Sequence, residues 1–219
     1  MRISIKNPAF LAVKASASFT DAYTTNSGWT QTGTTVNVNS YRSGKVGWNI
    51  SNPTSEFVVK SLGFTVSDTS CTCKISFKPD TPAVNGSHLA LVSLTAGASD
   101  LLATNQDAFG IEVFQYTSGN TYYYISYKDG AGAYTIIAGT EYLSTITNGT
   151  YLYITLTRTS ATDANAKFYD DSARTNLLAT KTTVAIPSNV GGLTHVQHGN
   201  SKAANGDVTT GEADDITVT

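Results

Sequence analysis

Apolar residues alternate with tyrosines and threonines in the stretch Tyr151-Leu152-Tyr153-Ile154-Thr155-Leu156-Thr157, and this pattern indicates the fold class of the chain. Successive side chains of a β-strand point to opposite faces, so Leu152, Ile154 and Leu156 share one face. The tyrosines and threonines share the other. An aliphatic face opposite a Tyr/Thr face is typical of a strand that covers a core between two sheets and exposes its other side.

The same alternation recurs along the chain, with turn-forming residues between the strands. The predicted strands lie near residues 36–38, 46–50, 57–66, 71–77, 88–94, 109–116, 122–127, 134–138, 151–157, 166–169, 182–186, 193–198 and 215–219. Asn-Gly and Gly-rich breakers such as Asn85-Gly86, Asn148-Gly149 and Gly191-Gly192 separate them. About a dozen strands exceed a small immunoglobulin-type sandwich and predict a larger all-β jelly roll with two antiparallel sheets.

The composition of the chain argues against two classes of function, nucleic-acid binding and membrane insertion. Of 219 residues, 14% are charged and the formal net charge is −2, with no cluster of basic residues. Nucleic-acid binding needs such a cluster, so no nucleic-acid partner is expected. No apolar run approaches the ~20 residues that span a bilayer, so we expect no membrane insertion. Cys71 and Cys73 share a strand face with Ile75 and Phe77, which predicts two buried thiols.

Three segments resemble the concanavalin A-like lectin/glucanase superfamily, including its laminin-G-like modules. They are Phe19-Thr20-Asp21-Ala22-Tyr23 with Trp29, the stretch 148–158 with the following 167–175, and the ending 211–218. The resemblance implies a jelly roll whose last strand lies beside the first. It does not imply a function, because this fold hosts lectins, hydrolases, adhesins and virion proteins. Chains with Thr-rich strands and an Asp-Ser-Ala-Arg-Thr turn are often found in phage and virus-related proteins.

The amino-terminal segment differs from the rest. Residues 1–17 contain Arg2, Lys6 and Lys14 and no acidic side chain. We interpret 1–17 as an arm or extra edge strand and 18–219 as the lectin-like sandwich. The arm either docks on a neighbouring subunit or folds back on its own sheet. The apolar residues predicted to make assembly contacts are Ile3, Ile5, Phe10 and Leu11.

A catalytic apparatus is not expected. Glucanases of the superfamily carry alternating carboxylates on one strand, and retaining hydrolysis needs two carboxyl groups about 5–5.5 Å apart. The stretch 109–116 offers only Glu112, with Gly110 and Phe114 as same-face neighbours. We therefore predict a non-enzymatic protein in which Glu112 is a surface or groove hydrogen-bonding residue. A glycoside hydrolase stays as a remote alternative.

No cofactor or resident metal is predicted. His195 and His198 are three residues apart on a strand and face opposite sides, so they cannot converge on one ion. The pairs Asp170-Asp171 and Asp214-Asp215 and the segment Asp163-Ala164-Asn165 carry hard oxygen ligands, which leaves a loop calcium ion open.

The tyrosines are the candidate binding residues. Within 122–127, Tyr123, Ile125 and Tyr127 form the predicted core face, which turns Tyr122 and Tyr124 outward. Flat aromatic rings stack on sugars or anchor protein interfaces, although they also simply cover sheets. The predicted glycan- or partner-binding set is Tyr116, Tyr122, Tyr124, Tyr134 and Glu112.

Two hypotheses for function follow. The first is a surface subunit, a decoration or fibre protein, of a virion or extracellular assembly. Such a protein would be made in the cytoplasm without a signal peptide and would form a homo-oligomer or larger assembly. The second is a carbohydrate-binding module whose outward tyrosines contact surface glycans. The two are compatible.

Overall fold

The computed structural model describes residues 17–39, 42–50, 54–81, 87–102, 104–115, 120–145, 148–183, 185–201 and 209–219. These residues form strands and turns, and none of them lies in a helix. The strands are β1 (Phe19–Asp21), β2 (Thr30–Thr32), β3 (Val36–Val38), β4 (Val46–Ile50), β5 (Thr54–Ser61), β6 (Cys71–Thr81), β7 (Ser87–Thr95), β8 (Ala108–Gln115), β9 (Thr121–Lys128), β10 (Thr135–Ile136), β11 (Tyr142–Leu143), β12 (Leu152–Arg158), β13 (Ala164–Tyr169), β14 (Leu177–Thr183), β15 (His195–Ser201) and β16 (Thr209–Val218).

The strands form two antiparallel sheets. The first sheet has the order β14-β13-β12-β6-β16-β4-β3, with β1 paired to β16. The second has the order β10-β9-β8-β7-β15-β5-β2, with β11 paired to β9. The prediction of a two-sheet antiparallel sandwich is therefore confirmed.

The core lies between the sheets and follows the alternation of the sequence. On β12, Leu152, Ile154 and Leu156 are buried, and on β6 both cysteines are buried and free. Trp48 stacks on Phe77 with ring centres 5.2 Å apart. The period-two pattern thus predicted the core face of these strands correctly.

The boundaries of several predicted strands were wrong. Those predicted at 57–66 and 215–219 span Thr54–Ser61 and Thr209–Val218. The strand predicted at 182–186 spans Leu177–Thr183 instead, and the one predicted at 134–138 is reduced to Thr135–Ile136. Apolar and polar residues do not alternate in the sequence of 177–180, so the pattern did not predict a strand there. These residues belong to an edge strand with a bulge opposite Phe168 and Tyr169. The short β10 lies between the turns at Gly130 and Gly139, both at positive φ.

The sandwich closes as the resemblance implied. β1 pairs with β16 in the register Phe19↔Val218 and Asp21↔Ile216, so the closing strand lies beside the first strand. Asp21 then accepts hydrogen bonds from the Trp29 indole and the Lys60 ammonium group. These bonds tie the entry segment to β5 in the other sheet.

Arg158, at the end of β12, is buried and joins the sheets. Its guanidinium group donates to the carbonyls of Ser160, Ala161 and Val190, and it lies 5.9 Å from the centre of the Phe109 ring. Burial lowers its pKa, but the surrounding carbonyls satisfy its donors.

The assembly residues Ile3, Ile5, Phe10 and Leu11 lie outside the described residues. In the part of the chain that the structure describes, no helix has the length and apolar character needed to cross a membrane.

Candidate functional site on the outer face of the second sheet

The outer face of the second sheet carries the candidate site. On β8, Phe109, Ile111 and Val113 point into the core, so Gly110, Glu112 and Phe114 point outward. In the neighbouring strand β9, Tyr124 lies opposite Glu112 and Tyr122 lies opposite Phe114. The register therefore places both predicted tyrosines beside the predicted carboxylate.

Tyr122 and Tyr124 form a pair of nearly parallel rings. Their centres are 6.4 Å apart, their planes differ by 25°, and both side chains are half-buried. The short strand β11 extends the row, because Leu143 lies opposite Tyr122 and is 42% exposed. We call the set Phe114, Tyr122, Tyr124 and Leu143 the tyrosine face. It combines aromatic surface with an exposed aliphatic side chain at one end of the sheet.

Glu112 is more buried than the sequence predicted. Its residue exposure is 2%, although its side chain belongs to the outer face. The alternation on β8 predicts the face of the sheet on which Glu112 lies. It does not predict how far other segments bury that side chain. Glu112 is thus a polar group at the floor of the site.

Tyr134 is not an outward tyrosine, contrary to the prediction. It is 7% exposed and packs against Leu101 and Ala108. Its hydroxyl lies 2.5 Å from Ser126 Oγ and 3.3 Å from Ser93 Oγ. The turn 129–132 returns the chain over the sheet and turns this ring inward. Burial, and then the negative charge of Glu112, raise the pKa of Tyr134.

Gly110 makes room for this arrangement. It lies between Ser93 and Ser126 in the register of β7, β8 and β9. A Cβ atom at this position would lie 2.1 Å from the Val92 carbonyl oxygen, so no side chain fits there. Because Gly110 has no side chain, the Tyr134 hydroxyl can lie between the two serine hydroxyls of the neighbouring strands.

The other half of the outer face is covered by the loop 96–107. The ammonium group of buried Lys128 donates to the carbonyls of Leu101 and Thr104 at 2.7 and 2.6 Å. The amides of Gln106 and Gln197 both donate to the carbonyl of Ser99. A shallow cleft of about 430 Å³ lies beside this loop, lined in part by Gln106 and Gly130. Among the described residues, the tyrosine face lies on a part of the outer face where Leu143 is exposed and Tyr122 and Tyr124 are only partly buried. Tyr116, the remaining predicted binding residue, lies outside the described residues.

Comparison with known proteins agrees with this architecture. No protein-family model matches the sequence, and neither does any curated protein. Among solved structures, the alginate lyase Aly36B has a TM-score of 0.58 at 10% identity, covering 92% of this chain and 96% of that one. Peanut lectin has a TM-score of 0.58 at 13% identity, covering 92% and 97%. A β-glucanase of Bacillus licheniformis has a TM-score of 0.53 at 13% identity, covering 94% and 99%.

This chain has a concanavalin A-like jelly-roll fold. At such low identity the likeness shows the fold alone, since a lyase, a lectin and a glucanase share it. The function has to be argued from the residues that this concanavalin A-like sandwich carries on its faces.

The histidines of this concanavalin A-like sandwich lie on opposite sides of β15, as the sequence predicted. His198 is buried, with Nδ1 2.7 Å from the Leu91 carbonyl oxygen and Nε2 2.8 Å from the Tyr23 hydroxyl. His195 lies on the other face, next to the Thr194 hydroxyl. They do not converge on a shared site.

The acidic loops considered for calcium are engaged by protein groups. Asp171 accepts hydrogen bonds from the backbone amides of Asn176 and Thr175, and these bonds lower its pKa. Asp170 accepts the Asn176 amide group, and Asp214 pairs with Lys45. Over the described ranges, no group of three or more His, Cys, Asp and Glu side chains is arranged to hold a metal ion.

Sequence reasoning missed Lys128, Ser93, Ser126 and Gln197 as parts of this face. Ser126 and Lys128 alternate with core residues on β9, so the signal for their side of the sheet was present. Their hydrogen-bond partners come from the loop 96–107 and from Tyr134, and no local pattern predicts those contacts.

Proposed function

We propose that the protein is a non-enzymatic binding protein that holds carbohydrate on the tyrosine face. The parallel Tyr122–Tyr124 pair, half-buried on an outer sheet face, carries the proposal. The C–H faces of a sugar ring stack on aromatic rings, and the hydroxyls of the same tyrosines bond to sugar hydroxyls.

The dimensions of the sheet support an extended ligand. Ring centres 6.4 Å apart along β9 offer two successive stacking positions, and Leu143 extends the surface sideways onto β11. Both tyrosines are held in place by their neighbours, because each residue is already partly buried. Little side-chain entropy is therefore lost on binding, which favours affinity.

The non-enzymatic part of the proposal rests on the surroundings of Glu112. Its cross-strand neighbours are Ala90 on β7 and Tyr124 on β9, neither of which supplies a second carboxyl group. Glycoside hydrolysis uses a pair of carboxyl groups. Tyr134 is a poor general base, because burial and the charge of Glu112 raise its pKa.

The binding experiment uses an array of neutral glycans and the intact chain. We expect a signal with wild type and about a tenfold weaker affinity for Tyr122→Ala and for Tyr124→Ala, the loss of ~1.4 kcal/mol of binding free energy. Tyr169→Ala, a partly buried tyrosine on the outer face of the first sheet, is the matched control and should bind like wild type. No signal on any neutral glycan, or equal binding by all four proteins, contradicts the proposal.

A separate assay tests the absence of catalysis. The intact chain is incubated with β-glucan and with alginate, and new reducing ends and unsaturated uronates are measured. We expect no turnover above the background. Turnover that is lost in Glu112→Gln or Tyr134→Phe would replace the binding proposal by an enzymatic one.

The wider setting that we propose is a surface subunit of a virion or extracellular assembly, made in the cytoplasm, with the sandwich displayed and the arm as the anchor. One observation favours it: Ala17 and Ser18, just before β1, are exposed, so the arm joins the sandwich at its surface. Light scattering of the intact chain and of a version lacking residues 1–17 tests it. We expect an oligomer that becomes a monomer on truncation, and two identical masses would contradict self-assembly through the arm.

A further inference from the structure

The cations of this protein are distributed unevenly between its surfaces. Among the described residues, ion pairs engage Arg42, Lys45, Lys60 and Lys78. Backbone carbonyls surround Lys128 and Arg158. The described lysines and arginines outside these two groups are Lys74, Lys167, Arg174 and Lys181. Lys74 lies on β6, Lys167 on β13 and Lys181 on β14, and Arg174 lies in the turn before β14. These elements belong to the half of the first sheet that runs from β14 to β6.

Three of these four residues point outward. Thr155 on β12 lies opposite Lys74 on one side and opposite Lys167 on the other. Both lysines are exposed, and two strand spacings separate them by about 9.6 Å. Lys181 differs, because it lies opposite Ala166, whose side chain is buried. Its side chain therefore leaves the sheet on the core side.

Arg174 completes the row. The turn 170–176 folds back so that the guanidinium group lies 5.6 Å from the centre of the Tyr153 ring, one row from Thr155. Arg174 has a φ of 56°, an uncommon conformation for a residue with a side chain. Asp171 holds the turn by accepting the Thr175 and Asn176 amides. The cation is thus presented over the sheet by a turn that is already ordered.

The acidic residues around this row are mostly engaged elsewhere. Asp214 pairs with Lys45, Glu212 pairs with Lys78, and Asp170 accepts the Asn176 side chain. Asp215 is exposed, and its negative charge acts on Arg174 without a contact short enough for an ion pair, so it offsets part of the charge of Arg174. The set Lys74, Tyr153, Thr155, Lys167 and Arg174, which we call the basic face, carries three cations, and among the described residues its two exposed lysines form no ion pair.

We infer that the basic face binds an anionic polysaccharide, a sugar chain bearing repeated carboxylate or sulfate groups. Charge complementarity selects the anion, since the row Lys74, Thr155 and Lys167 holds two exposed cations and no carboxylate, and Arg174 lies beside it. Tyr153 supplies a ring for the sugar, and Thr155 supplies a hydroxyl for hydrogen bonding. A flat sheet with cations two strands apart suits an extended chain rather than a single small ion. This surface lies on the opposite side of the sandwich from the tyrosine face and does not depend on it.

The test measures affinity of the intact chain for polygalacturonate, dextran sulfate, neutral dextran and a single-stranded oligonucleotide by titration calorimetry at low salt. We expect binding to at least one of the two anionic polysaccharides, no binding to dextran, and weakening as salt is raised. Carboxylate and sulfate are distinguished by which of the two chains binds more tightly. The double variant Lys74→Gln/Lys167→Gln should lose about tenfold or more in affinity, because two charge-assisted hydrogen bonds are removed.

Lys181→Gln is the matched control, since it removes a cation from the same sheet on the opposite side. It should bind like wild type. A loss confined to the lysine double variant separates this inference from the tyrosine face. Three results would overturn the inference: no binding to either anionic polysaccharide, equal losses in Lys181→Gln and the double variant, or an oligonucleotide affinity equal to that for the polysaccharides. The last result would indicate a general attraction for polyanions.

Discussion

The Nε2 atom of His198 lies 2.8 Å from the hydroxyl oxygen of Tyr23 in the buried interior. Because the Leu91 carbonyl can only accept, Nδ1 donates to it, and Nε2 accepts the Tyr23 hydroxyl. This contact joins β15 to the entry segment after β1 and requires a neutral imidazole.

The first prediction concerns acid stability. Burial lowers the pKa of His198 to about 4, below its ordinary value of 6.5. The unfolded chain therefore binds more protons than the folded chain between these values, so stability is present above about pH 6.5 and is lost as the pH falls towards 4. We expect a loss of about 2 kcal/mol in the free energy of unfolding between pH 7 and pH 5. Urea titrations at each pH measure it.

The control for this prediction lies on the same strand. His198→Gln should flatten the dependence on pH between 7 and 5, whereas His195→Gln should largely keep it. An unchanged slope in His198→Gln would assign the acid sensitivity to other groups.

The second prediction concerns Glu212, which is buried on the first sheet. It accepts the Tyr151 hydroxyl at 2.5 Å and the Lys78 ammonium group at 2.7 Å. Burial opposes its ionisation, but the hydrogen bonds from Lys78 and Tyr151 outweigh this effect, and the pKa of Glu212 is lowered from its ordinary value of 4.5. Its contribution to stability is therefore present above pH 4.5 and is lost below it. Glu212→Gln should cost about 1–2 kcal/mol at pH 7 and nearly nothing at pH 3, by urea unfolding. Equal costs at both values would contradict this assignment.

The third prediction concerns the loop that Lys128 holds. Lys128→Met removes the donors to the carbonyls of Leu101 and Thr104, and the free energy of unfolding should fall by about 2 kcal/mol or more. Amide hydrogen exchange should become faster in the loop 96–107. Lys167→Met, the same substitution at an exposed strand position, should change stability by less than about 0.5 kcal/mol. Similar costs for the two variants would mean that the carbonyl contacts contribute little.

The fourth prediction concerns Gly110. In Gly110→Ala the new methyl group would collide with the Val92 carbonyl, and the strands would have to separate. We expect a loss of about 1–3 kcal/mol, measured by urea unfolding. Gly139→Ala is the comparison: its Cβ would meet open space, so only its φ of 81° opposes the change. A Gly110→Ala protein as stable as wild type would show that the strands can shift.

Much of the fold was predictable from short patterns. The alternation on β12 predicted which of its residues face the core, and that on β9 separated Tyr123 and Ile125 from Tyr122 and Tyr124. The closing strand was expected beside the first and lies there. These inferences succeed because the direction of a side chain on a strand depends only on its neighbours in the chain.

The candidate site was predictable only in part. Tyr122 and Tyr124 share a face with Glu112 through the pairing of β8 and β9, but Tyr134 was expected on the surface and is buried. Its position follows from the glycine-containing turn 129–132, whose path is not visible in the alternation. The same limit applies to β14, an edge strand whose bulge interrupts the period-two pattern.

Local patterns of residues were enough to predict that this chain forms a two-sheet sandwich and which faces of its longer strands line the core. Tertiary structure alone decided that the Tyr134 hydroxyl joins Ser93 to Ser126, that Lys128 is surrounded by carbonyls, and that Lys74 and Lys167 flank one threonine. The reason is physical: the direction of a side chain is a local property of the strand. Its neighbours across strands and under loops are set by segments far away in the chain, whose pairing becomes favourable only when the whole core is assembled.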